Sequence, residues 1–110
     1  MVGGVDVFIE SFESANDLGA RLQSVARESG FELKMISNRG TQVYPPTGCM
    51  TECVDHWRCR FVAKEGDGDV SEDAIMRLLN RVRMDYRWMH IEKLRTFDGH
   101  KGFTFAQGEN

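Results

Sequence analysis

Between residues 55 and 63 apolar and polar side chains alternate strictly: Trp57, Cys59, Phe61 and Ala63 fall on one parity, His56, Arg58 and Arg60 on the other. A period of two is that of a β-strand with one buried and one wetted face. The aromatic load on the apolar side predicts a central strand that helices cover on that side. Residues 5–11 repeat the pattern, with Val5, Val7 and Ile9 set toward the core and Asp6, Phe8 and Glu10 on the far face. In the next strand Phe31, Leu33 and Met35 alternate with Glu32, Lys34 and Ile36, and Asn38-Arg39-Gly40 then interrupts it as a bulge or turn does. Val43 and Tyr44 resume extension until Pro45-Pro46-Thr47-Gly48 stops it, because proline cannot donate to a ladder. From there to Val54 the chain reads as a polar loop. Residues 89–96 form a last strand, and residues 97–110 a turn and a phenylalanine-bearing tail.

Two stretches switch to helical spacing. Ser14-Ala-Asn-Asp17 offers a hydroxyl cap with a carboxylate three residues on, ahead of Ala15, Leu18, Leu22, Val25 and Ala26, and Gly30 supplies the left-handed residue that ends such a helix. Ser71 caps the second, with Glu72 and Asp73 in the first turn, Val70 placed to staple onto Ile75, and Ile75, Leu78, Leu79, Val82 and Tyr86 as the buried stripe. Glu65-Gly-Asp-Gly-Asp69 between them is a solvated acidic turn.

The order strand, helix, strand, strand, helix, strand predicts a ferredoxin-like βαββαβ two-layer sandwich: α+β, a four-stranded antiparallel sheet with both helices on one face. All 110 residues fit one domain with one core. The other face of the sheet would show Phe8, Lys34, Ile36, His56, Arg58 and Arg60, a surface more apolar and basic than water alone requires, so a partner is expected against it.

Composition narrows the function classes. With 41% hydrophobic and 28% charged residues and a mean hydropathy of -0.42, the chain is an ordinary globular one. A net charge of -3 and a pI near 5.6 argue against sequence-independent nucleic-acid binding. Arg58-Cys-Arg-Phe-Val62 also lacks the glycine and exposed aromatics of an RNA-stacking strand. Three cysteines and six methionines do not make a disulfide scaffold and point to reducing cytoplasm. No apolar run approaches a membrane span. The start Met1-Val2-Gly3-Gly4, leading straight into a strand, fits a piece cut from a longer protein.

Candidate chemistry is sparse. Cys49, Cys53, His56 and Cys59 contain zinc-type ligands, but no Cys-x-x-Cys pair is present and His56 points opposite to Cys53 and Cys59, so the thiols are read as small hydrophobes. His56, His90 and His100 adjoin no nucleophile motif. Asp6, Glu10, Asp55 and Glu92 are read as edge-of-sheet charges. Gly66 and Gly68 form neither a phosphate loop nor a dinucleotide fingerprint. No catalytic, cofactor-binding or metal residue is assigned.

Four phrases do carry a family resemblance: Met35-Ile-Ser-Asn-Arg-Gly-Thr-Gln-Val-Tyr-Pro45, Asp55-His-Trp-Arg-Cys-Arg-Phe61, Glu92-Lys-Leu-Arg-Thr-Phe-Asp98 and Gly102-Phe-Thr-Phe-Ala-Gln-Gly-Glu109. Together they resemble the C-terminal domain of the long-form bacterial isocitrate dehydrogenases of the Thermus and rickettsial type. The resemblance implies a parent enzyme that oxidatively decarboxylates isocitrate to 2-oxoglutarate with NAD(P) and Mg²⁺ or Mn²⁺, its catalytic residues all lying upstream. This domain is then an accessory element for assembly or regulation, partnered by the catalytic part of the enzyme or by a second copy. Its expected contact residues are Phe8, Ile36, Arg58 and Arg60 on the sheet, and Phe103 and Phe105 on the tail. The alternative is a stand-alone module of the same fold binding a small molecule at Asn16-Asp17 or at 66–69.

Overall fold

The computed structural model describes residues 2–47, 50–64, 70–96 and 103–105. Strand β1 (Val2–Ser11) leads into helix α1 (Ala15–Glu28), capped by Ser14, whose hydroxyl accepts from the Asp17 N–H. Gly30, at φ +80°, turns the chain into β2 (Phe31–Thr47), which folds back as β3 (Met50–Ala63). Helix α2 (Glu72–Arg83) is capped by Ser71, whose hydroxyl accepts from the Ala74 N–H, and precedes β4 (Arg87–Thr96) and β5 (Phe103–Phe105). The sheet order is β2-β3-β1-β4-β5, antiparallel throughout.

The ferredoxin-like arrangement is thus present, with β3 and β1 at the centre and a fifth strand added beside β4 where the sequence suggested only a tail. Both helices cover the same side of the sheet. Leu18, Leu22, Val25 and Ala26 of α1 and Ile75, Leu78, Leu79 and Val82 of α2 share one core with Val5, Val7, Ile9, Trp57, Cys59 and Phe61. Burying these side chains supplies the main driving force for the fold, at roughly 1.5–3 kcal/mol for each large one.

Three features depart from the sequence reading. First, the β2–β3 ladder shifts register between Leu33 and Met35, so Ile36 pairs with Cys59 and Met35 with Arg60. Ile36 therefore lies on the helix side, where it packs against the core, its Cδ1 close to Gly19 of α1; this corrects its expected place on the open face. A bulge inverts the parity of every residue after it until the next irregularity.

Second, Asp6 is no edge charge: it sits in central β1 and is fully buried. Third, β2 and β3 run on past the sheet. The β1–β3 ladder ends at Ser11 opposite Asp55, yet Gln42, Val43, Tyr44 and Thr47 still pair with Val54, Cys53, Glu52 and Met50. Pro45 and Pro46 fit there because, among the described residues, no third strand needs their missing N–H groups. The projecting ribbon helps give the molecule a 55 Å long axis and a radius of gyration of 15.0 Å, against about 13 Å for a compact domain of this size.

Candidate functional site

The helix-free face is built from the even positions of β1 and their neighbours. Asp6 stands between Arg60 on β3 and Glu92 on β4, and Phe8 between Arg58 and His90. A carboxylate with no access to water is tolerated only when it is paired and hydrogen-bonded. Here the Arg60 guanidinium donates twice, Nε to Asp6 Oδ1 at 2.9 Å and a terminal nitrogen to Oδ2 at 3.2 Å. Arg58 Nε lies 3.2 Å from the same Oδ2, and its terminal nitrogen 3.6 Å from Glu92. The hydrogen bond to Asp6 raises the Arg60 pKa above its ordinary value, fixing the cation.

Phe8 is only 7% exposed. His90 stacks on it at 4.1 Å between ring centroids and 11° between planes, and the Arg58 guanidinium lies over the ring at 5.0 Å. Arg39 approaches the same ring at 5.9 Å. His56 faces Glu10 at 3.6 Å. Arg60 thus faces Asp6 between β3 and β1, and Arg58 reaches both Asp6 on β1 and Glu92 on β4, so the two arginines tie the three strands together. Guanidinium groups cannot act as bases, so Arg58 and Arg60 fasten this face rather than move protons.

The expected contact residues therefore divide. Phe8, Arg58 and Arg60 converge on the open face, but Phe8 is roofed by its neighbours and the arginines are bonded to Asp6. Ile36 is on the other side. Phe103 and Phe105 belong to β5, in register with Thr96 and Leu94; their side chains lie outside what is described, as do Cys49, the Cys53 side chain, His100 and residues 65–69 and 106–110. Asp6 is the residue that reading by pattern missed. An acid at an even position, flanked by core valines in the strand that must pair with 55–63, was the available signal.

Of the zinc-type candidates, His56 and Cys59 occupy opposite faces of β3. Burial, and then the charge of Asp6, pushes the Cys59 thiol up to about 12, leaving it a neutral core side chain. Among the described residues no three His, Cys, Asp or Glu side chains could together hold a metal ion.

The family described as bacterial isocitrate dehydrogenase, C-terminal domain, matches residues 1–109. This chain belongs to that family. An isocitrate dehydrogenase (NADP) of Thermus thermophilus is 54% identical over 109 residues, covering 99% of this chain and 22% of the relative. That of Rickettsia bellii is 32% identical over 111 residues, covering 96% and 22%. The crystal structure of the TT0538 protein from Thermus thermophilus superposes with a TM-score of 0.72 at 54% identity, covering 99% of this chain and 22% of that one. The chain spans about a fifth of the length of the curated relatives it matches. Its register of Asp6, Phe8, Arg58 and Arg60 is therefore a feature of a C-terminal dehydrogenase domain.

Proposed function

We propose that this chain is a non-catalytic assembly element of an NADP-dependent isocitrate dehydrogenase, whose remaining polypeptide binds isocitrate, NADP and a divalent metal and performs the oxidative decarboxylation. The family match from end to end carries this reading. The geometry supports it: the ionisable groups of the open face are engaged with one another, an arrangement that holds shape rather than turns over substrate.

The open face and the β5 edge belong to the surface by which the domain is held in the parent enzyme. The side chains of Arg58 and Arg60 are partly exposed, at 21% and 25%. The strand bearing Phe103 and Phe105 adds a ladder edge at that margin of the sheet.

The test compares the parent enzyme, the enzyme lacking this domain, and the 110-residue chain alone, each assayed with isocitrate, NADP⁺ and Mg²⁺. The chain alone gives no turnover, while the shortened enzyme keeps its chemistry and loses assembly. Turnover by the chain alone contradicts the reading.

A further inference from the structure

Where helix α2 hands over to strand β4, the surface carries hydrogen-bond donors with nothing to donate to. Arg83, Met84, Asp85, Tyr86, Arg87 and Trp88 line a hollow of about 580 Å³, inside the range of about 300–1,000 Å³ that small-molecule sites occupy. It shares no side chain with the Asp6 network of the open face.

Arg83 uses the face of its guanidinium rather than its edge, lying over the Trp88 indole 5.1 Å from the ring centroid. Such stacking leaves the N–H donors, which radiate in the guanidinium plane, open to an acceptor. Among the described residues neither Arg83 nor Arg87 forms an ion pair with a carboxylate, whereas Arg81 on the same helix is taken up by Glu28 and Asp85. The Trp88 indole N–H is likewise buried without an acceptor among those residues. Buried donors without a partner are uncommon and costly. Two guanidiniums and an indole N–H around one hollow leave it short of acceptors.

Two features oppose an anion at this place, and both are countered. Helix α2 ends here, and a helix C-terminus carries partial negative charge. Its Arg81 and Val82 carbonyls, however, already accept from the N–H groups of Met84, Asp85 and Tyr86. Asp85 is the acid in the wall, and its carboxylate lies 3.3 Å from Arg81. Glu10, opposite Arg87 in the β1–β4 register, lines the adjoining hollow and faces His56 at 3.6 Å. Arg83 and Arg87 thus concentrate positive charge in a chain whose net charge is -3.

The lining selects the ligand class. A guanidinium fork matches the two oxygens of a carboxylate, and this hollow has two forks. Met84, 75% exposed, adds an apolar rim suited to a carbon skeleton. We propose that the hollow binds a small organic di- or tricarboxylate. Arg83 and Arg87 each engage one carboxylate, and a small shift of the overlying Arg83 lets the Trp88 indole N–H donate to a further oxygen. The site is separate from the assembly role, and neither reading needs the other.

The test is an NMR titration of the 110-residue chain, which closes both helices and the sheet on one core of its own. Its two tryptophans, Trp57 and Trp88, give two indole N–H resonances, and Trp88→Phe identifies each. Citrate is the probe, with sodium chloride holding the ionic strength constant. The Trp88 resonance should move and saturate with a dissociation constant below about 1 mM, while that of Trp57, in the core, stays in place. The double variant Arg83→Gln/Arg87→Gln should weaken binding at least about tenfold. Arg27→Gln/Arg77→Gln removes the same charge from exposed positions elsewhere on the helices and should leave the constant unchanged. A Trp88 resonance that does not move or never saturates, or equal weakening in the two double variants, overturns the site. Saturation by pyrophosphate but not by citrate overturns the ligand class. Loss of assembly on deleting the domain is read by sedimentation, so either idea can fail while the other stands.

Discussion

Asp6 and Arg60 face each other across the β1–β3 ladder and meet through two hydrogen bonds, with the carboxylate wholly removed from water. Breaking such a pair leaves uncompensated buried charge, which costs about 3–5 kcal/mol. Asp6→Asn takes from Arg58 and Arg60 the carboxylate they share, and urea unfolding of the variant is expected to show a loss of about 3 kcal/mol. A loss under about 1 kcal/mol, the level of an exposed pair, contradicts the role given to this network.

Phe8 and His90 form the second tie on that face. A double-mutant cycle with Phe8→Leu and His90→Ala should return a coupling of about 0.5–1.5 kcal/mol, the range for stacked aromatic pairs. Additive losses from the two substitutions would show that the stacking contributes nothing beyond burial.

Two glycines give opposite signs. A methyl group on Gly4 would stand 2.4 Å from the Phe61 carbonyl oxygen, a backbone atom with nowhere to go. Gly4→Ala should therefore cost about 1–3 kcal/mol. On Gly19, inside α1, the methyl would meet only Ile36 Cδ1 at 3.7 Å, an ordinary contact. Gly19→Ala should stabilise by about 0.5–1 kcal/mol through the helix backbone. Thermal melting of both variants reads the signs directly, and a destabilised Gly19→Ala would contradict the placement of Ile36 beneath α1.

Alkaline pH weakens the fold through Cys59. Its thiol is raised from an ordinary 9.0 to about 12, by burial first and by Asp6 second. Between those values the unfolded chain has released the proton and the folded chain still holds it, so the unfolded state binds fewer protons and stability falls as pH rises. The contribution is whole below pH 9 and lost through pH 12. Tyr86, raised by burial and then by its bond to Glu13, acts in the same direction at still higher pH. Melting midpoints from about pH 7.5 to about pH 10.5 should fall less steeply in Cys59→Ala than in the parent chain. Equal slopes would contradict a buried, neutral thiol.

The strand and helix order was legible because each element carries its own period and its own cap. Ser14 and Ser71 accept the hydrogen bonds their positions suggest, and the stripe from Ile75 to Tyr86 is buried as spaced. Alternation fails where the backbone adds a residue. The irregularity between Leu33 and Met35 sends Ile36 under the helices, and nothing in Phe31-Glu-Leu-Lys-Met-Ile36 announces it except the room left by Gly19 in another element. The ribbon was hidden for a related reason: its two prolines read as a stop, although a ladder two strands wide accepts them. On the open face the residue types at Phe8, Arg58 and Arg60 were plain, but their mutual engagement depends on Asp6 lying between them, a fact of cross-strand register.

If this domain serves association rather than chemistry, removing it must change the subunit equilibrium and spare the reaction. Sedimentation equilibrium of the full-length dehydrogenase beside the same enzyme lacking these 110 residues separates the two roles. The shortened enzyme is expected to dissociate at concentrations where the full-length enzyme remains assembled. Equal association of the two, accompanied by loss of isocitrate oxidation in the shortened form, would overturn the assembly role.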